Sequence, residues 1–246
     1  MRLSIVLACL ICSAARADLA TSALARDDWG PPEIALTVDG EGLVSASFVL
    51  YESGRVLYRP TRSWPPQYAL VTLTPDERRA LTADLPLARV GSLHPPLVDG
   101  ADGATYCIDV WSHGAHKRDC IWGSAERSPG WSEVPAEMDA IWKRLGHFSS
   151  ARARPWTPES VTVQVLPWVC GGLHAVPALW PRSWPLPTVH ADGLSFEAPA
   201  AVVPSLRQAV STTLANGCVQ PIAFDGQLVY VSYKLSLPHE RAWMMP

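Results

Sequence analysis

Residue types capable of chemistry are present in this chain, but few fall at the spacings that chemistry requires. An acyl-transfer serine on a strand-to-helix elbow would sit in Gly-x-Ser-x-Gly, and a Ser-x-x-Lys pair would need its own surroundings; neither occurs in the expected context. A triad assembled by the fold from distant Ser, His and Asp is defined by geometry, so spacing is silent on it. His113 and His116 are three apart, which on a helix would converge on a metal. Here they flank a hairpin turn, and two ligands without a third make a poor zinc site. His239-Glu240 continues as Arg241-Ala242-Trp243, so the His-Glu-x-x-His zinc motif is absent. Asp99-Gly100-Ala101-Asp102-Gly103 clusters oxygens as a calcium loop does, yet it lacks the further acids of an EF-hand, and Asx turns account for it. No cofactor or metal is expected.

The cysteines are more informative, and they depend on where the chain matures. Arg2, the apolar run Leu3 to Cys12, and Ala15-Arg16-Ala17 have the layout of a secretory signal peptide over residues 1–17, cleaved between Ala17 and Asp18. The run is about half the roughly 20 residues of a membrane span. Lipidation at Cys9 or Cys12 is the weaker alternative. Cleavage removes Arg2, Arg16 and two cysteines, leaving a chain near −5 with Cys107, Cys120, Cys170 and Cys218. An even cysteine count in an exported chain reads as disulfides. The rival, a zinc site with the nearby histidines, lacks the usual Cys-x-x-Cys pairs.

One pairing follows from local register. Thr105 to Trp111 and Lys117 to Gly123 read as two strands joined at His113-Gly114. Pairing Ser112 with Ala115 sets Trp111 opposite His116, Asp109 opposite Arg118, Cys107 opposite Cys120 and Thr105 opposite Trp122. Charge and sulfur pairs thus agree on one register, at a non-hydrogen-bonded pair whose Cα atoms lie roughly 4.5 Å apart. Cys170 is then left for Cys218.

The aromatic content is the least ordinary feature, with 11 Trp in 246 residues. Several precede proline, and Arg62-Ser63-Trp64-Pro65 recurs as Arg182-Ser183-Trp184-Pro185. Exposed on rigid loops, Trp64, Trp180 and Trp184 with Arg62 and Arg182 would stack on a glycan or pack on a protein partner. Turned inward, the same rings would fill the core of a helix-poor domain.

These residues need a scaffold. Residues 18–32 read as a flexible lead-in, 33–150 as an N-terminal α+β domain, and 151–246 as a C-terminal α+β segment with a Trp/Pro-rich loop. Strands are expected at 34–38, 43–51, 55–58, 68–73, 161–165, 219–224 and 228–235. Thr74-Pro75-Asp76-Glu77 is a capping box with a proline opener, for a helix to about Asp84. Further helices are expected from Val134-Pro135 to Phe148 and from Pro204 to about Ala215, while Pro167 to Pro187 reads as irregular. Elements cluster rather than alternate, which favours antiparallel hairpins with a few packed helices, a disulfide-stapled α+β fold. No later window spans a membrane, and no basic cluster suggests nucleic acid.

The hairpin Phe48-Val49-Leu50-Tyr51-Glu52-Ser53-Gly54-Arg55-Val56-Leu57-Tyr58, followed by Leu73-Thr74-Pro75-Asp76-Glu77, resembles a set of uncharacterised exported and lipoprotein-like domains of high-GC bacteria. The likeness covers most of 34–148 and, more faintly, 158–240. It implies an exported α+β domain and transfers no functional residue. The expectation is a periplasmic or extracellular, non-enzymatic binding module; the alternatives are an exported hydrolase-like enzyme whose site the fold assembles, or an inhibitor presenting 167–187.

Overall fold

The computed structural model describes residues 28–40, 43–61, 66–93, 104–112, 114–122, 134–170, 176–190, 193–214 and 217–240. The proposed leader and its cleavage site at Ala15, Ala17 and Asp18 lie outside them, as do Arg62, Trp64, His113 and Asp99 to Gly103.

Two sheets carry the fold. The first contains β1 (Pro32–Gly40), β2 (Leu43–Tyr51), β3 (Arg55–Tyr58), β4 (Tyr68–Thr72), β5 (Thr105–Ser112), β6 (Ala115–Trp122) and β7 (Arg154–Trp156). Its order is β6-β5-β1-β2-β3-β4-β7, antiparallel throughout. The second contains β8 (Ser160–Pro167), β9 (Ala178–Leu179), β10 (Thr188–His190), β11 (Gly193–Pro199), β12 (Ile222–Phe224) and β13 (Gln227–Leu235), in the order β10-β11-β8-β13-β12-β9. Among the described strands only the two-residue β9 runs parallel to its neighbour, β12. The helices are α1 (Pro75–Thr82), α2 (Ala136–Gly146) and α3 (Val203–Ser211). The fold is α+β, stapled by Cys107–Cys120 and Cys170–Cys218.

The first sheet is a middle layer, which explains why Phe48, Val49, Leu50 and Tyr51 are consecutively buried. One face (Leu36, Phe48, Leu50, Val56, Ile108) packs under α2 through Met138, Ile141, Trp142 and Leu145. The other (Ala35, Val49, Tyr51, Leu57, Tyr68, Leu70) packs with Val161, Val163, Val165, Phe196, Val231 and Tyr233 of the second sheet, and with Leu206 and Val210 of α3. Sheet-on-sheet burial of this kind is the main driving force available to a helix-poor chain.

Local signals act as their chemistry dictates. The Thr74 side chain accepts from the Glu77 backbone N–H, and the Glu77 carboxylate accepts from the Thr74 N–H at 2.8 Å. Those bonds, with Arg152 beside it, hold the Glu77 carboxyl below its ordinary range. Asp225 and Gly226 both adopt positive φ, 46° and 73°, as a two-residue primed turn demands. Gly54 is required where it stands: φ is 81°, and a Cβ there would meet the Leu73 carbonyl oxygen at 2.8 Å.

Four expectations are corrected. The lead-in is part of the fold from residue 28: Trp29 packs edge-on to Tyr51 at 5.0 Å, Arg55 lies over its ring at 4.8 Å, and the Glu52 N–H bonds the Pro31 carbonyl. The first sheet does not end by residue 150, because Tyr68 pairs with Trp156 and β7 completes it. Helix α3 ends at Ser211 rather than Ala215, since Thr212 turns extended and Thr213 bridges Val219. Residues 167–187 are not wholly irregular, because they contain β9. Strands β10 and β11 were not anticipated, although Leu194, Phe196 and Ala198 alternate inward along β11. Among the described residues no helix is long and apolar enough to cross a membrane.

Candidate functional site

The described residues of the Trp/Pro-rich segment are tied to other elements at several points. The Trp168 indole N–H donates to the Val219 carbonyl at 2.9 Å, and the Ala178 N–H to that of Pro221. Gln220 donates its side-chain amide to the Val176 carbonyl, and Cys170–Cys218 closes the same region. The Trp184 N–H bonds the Ser205 hydroxyl at 2.8 Å. Trp184 is only 4% exposed, and Trp180 sits against it, Phe196 and Phe224 at centroid distances of 5.4, 5.7 and 4.7 Å. Trp184 is therefore core and is removed from the proposed binding surface. Trp180 is half-buried with it, and only Arg182 of the described trio is exposed.

With the indoles packed inward, aliphatic side chains face out. Val169, Val176, Leu179, Leu186 and Val189 are each 75% to 83% exposed. A sixth, Leu228, joins them: Leu179, Ala223 and Leu228 form one cross-strand row over β9, β12 and β13. The Trp168 N–H bonds the Leu228 carbonyl, which brings Val169 to the same end of the sheet. Leu179 and Leu228 thus share one face through Ala223, and the exposed Val169 and Val176 lie on backbone hydrogen-bonded to the same end of the sheet. Sequence reasoning missed these residues because it followed the rarer tryptophans. One signal was available: no aspartate or glutamate occurs between Glu159 and Asp192.

A second constellation lies on β5 and β6. Asp109 is fully buried and accepts from His116 Nε2 at 2.7 Å and Arg118 Nε at 2.6 Å, while the Thr37 hydroxyl lies 3.4 Å from its other oxygen. Trp111 stacks on the His116 ring at 4.6 Å, with 7° between planes. The predicted register is present in full, including Cys107 opposite Cys120 with Cα atoms 4.1 Å apart. With His116 and Arg118 on the same carboxylate oxygen, Asp109 anchors the two hairpin strands to each other.

A groove of about 660 Å³ opens beside it, within the range of ligand pockets. Its lining includes Glu33, Ile34, Arg78, Arg79, Val110 and Lys117. Arg78 pairs with Glu33 and donates to the Glu52 carbonyl at 2.8 Å. Burial pushes the Glu33 carboxyl up from its ordinary value, against the pull of Arg78. Elsewhere Glu240 is buried, accepting from Lys234 at 3.2 Å and from the Leu237 N–H at 3.1 Å. Among the described residues no three His, Cys, Asp or Glu side chains converge as a metal ion would require.

No family model matches the chain, and neither a curated protein nor a solved structure matches it.

Proposed function

We propose that this protein is an exported binding module that engages a protein partner through the aliphatic patch of Val169, Val176, Leu179 and Leu228. The observation that carries this reading is the inversion of the Trp/Pro-rich segment, with its indoles in the core and its aliphatic side chains outside. Glycan recognition would want the reverse, since sugars stack on exposed rings. A pinned backbone loses little entropy on docking, which favours affinity. Two disulfides support maturation in an oxidising compartment, and the leader-like N-terminus supplies the route. Export itself is tested by the mass of the protein recovered outside the cytosol: it should begin at Asp18 and carry no free thiol.

The binding reading is tested by placing a photo-cross-linker at position 179 in one protein and at the exposed Lys143 position in another. Discrete adducts should form from 179 alone and disappear on Leu228→Asp. Equal labelling from both positions, or none from 179, would contradict the reading.

A further inference from the structure

A cleft of about 430 Å³ lies between α1 and the C-terminal end of α2, apart from the aliphatic patch. Glu77, Ala80 and Leu81 line it at i, i+3 and i+4, so α1 turns one face to it. The end of α2 and the turn after it contribute Arg144, His147, Phe148 and Arg152. That turn is held in place. The Ser150 N–H donates to the Tyr58 hydroxyl at 3.2 Å, the Arg152 N–H donates to the Ser150 hydroxyl, and the Phe148 ring packs edge-on to Tyr58 at 5.1 Å. Arg152 Nη2 then donates to both Glu77 oxygens, at 2.6 and 2.7 Å, and the Thr74 N–H takes one of them as well. Glu77 is the one carboxylate among the lining residues, and it is already satisfied. The donors are in excess: among the described residues neither Arg144 nor His147 has a side-chain hydrogen bond or ion pair. A helix C-terminus favours a cation in its last turn, and Lys143 supplies one there. That preference does not explain why Arg144, His147 and Arg152 collect in one concavity.

We propose that this cleft binds a small phosphate monoester, its phosphate oxygens taking donors from Arg144, His147 and Arg152, and its organic group lying against the exposed Ala80 and half-buried Phe148. Two arginines against one carboxylate leave the lining positive, and guanidinium groups suit phosphate oxygens. A phosphate ester offers three strong acceptor oxygens to the three donor side chains, where a carboxylate offers two. The volume lies within the range of small-ligand pockets.

The test is titration of the isotope-labelled full chain with phenyl phosphate, followed by amide chemical shifts. Saturable shifts should centre on 77–81 and 144–152. Inorganic phosphate should bind several-fold less well, because it leaves Ala80 and Phe148 untouched, and benzyl alcohol should not bind. Arg144→Gln should weaken binding about tenfold, the worth of a charge-assisted hydrogen bond. Ala80→Trp should fill the cleft and abolish binding while every charge stays in place. Arg144 and Ala80 are both exposed, and the melting curves of the two variants should match the parent. Arg182→Gln removes the same charge from a distant exposed position and should leave the titration unchanged. Leu179→Asp should also leave it unchanged, which separates this site from the aliphatic patch. Absence of saturable cleft shifts at millimolar phenyl phosphate would overturn the proposal. So would equal binding of inorganic phosphate, equal weakening by Arg144→Gln and Arg182→Gln, or unaltered affinity in Ala80→Trp.

Discussion

Glu240 shows how one side chain can carry a pH dependence. Burial raises its carboxyl above the ordinary 4.5, against the pull of Lys234 and the Leu237 N–H. The folded state therefore holds this proton more tightly than the unfolded chain does. Its contribution to stability is fully present below about 4.5 and is lost as pH rises through the raised value. Replacing Glu240 by Gln removes this dependence while keeping an acceptor for Leu237. The melting temperature of Glu240→Gln relative to the parent should accordingly rise between pH 4 and pH 7, whatever constant offset the unpaired Lys234 adds. Thermal melts across that range check it, and a flat difference would refute the burial argument. Tyr51 and Tyr68 are likewise pushed upward by burial, so both phenols stay neutral; the Tyr51 hydroxyl donates to the Pro238 carbonyl at 3.1 Å, tying the C-terminal turn to the first sheet.

At the scale of elements, the edges of the sheets explain why the β5–β6 hairpin needs a staple. Strands β7, β9 and β10 are two or three residues long, and β7 contains Pro155, which limits pairing at those edges. Strand β6 is eight residues long and pairs only with β5 among the described strands. Asp119 partly closes that side, accepting from the Gly91 and Leu93 N–H groups. Cys107–Cys120 ties β6 to its one described partner, β5. Replacing both cysteines by Ala should cost about 3 kcal/mol from loop closure, before any packing loss. That corresponds to ~6–12 °C in melting temperature for a chain of this size. The hairpin was also the most legible element: Cys107, Asp109 and Trp111 meet their partners within 13 residues, so turn and side-chain pairs specify the register together. The Thr74 capping box was legible for the same reason. The end of α3 was not, because no proline or glycine marks Thr212, where the chain turns extended and lets Thr213 bridge Val219.

At the scale of the whole molecule, the two halves are bound by one core. Ala35, Val49, Tyr51, Leu57, Tyr68 and Leu70 lie in the same cluster as the inward residues of β8, β11 and β13. A chain ending at residue 157 would keep all seven strands of the first sheet yet expose that face. It should bind a hydrophobic dye and unfold without a cooperative transition, whereas the full chain should melt as a unit. Cooperative melting of the truncated chain, with no dye uptake, would show the first half to be an independent domain. This arrangement also places the proposed patch and cleft on different layers, the patch on the second sheet and the cleft between α1 and α2, on the other side of the first sheet.

The amino-acid sequence alone determined whatever depends on residues close together in the chain: the register of Cys107 with Cys120, the cap at Thr74, the turn at Asp225-Gly226. Tertiary structure decided what covers each face. Alternation along β8 or β11 says which side chains share a side, but not which layer will lie over it. The same limit hid the aliphatic patch, because Trp180 and Trp184 could turn inward only once Phe196, Phe224 and Ser205 were brought beneath them from other elements. The cleft arises in the same way, from Glu77 meeting Arg144 and Arg152 across intervening chain whose closure carries an entropic cost that no local pattern reveals.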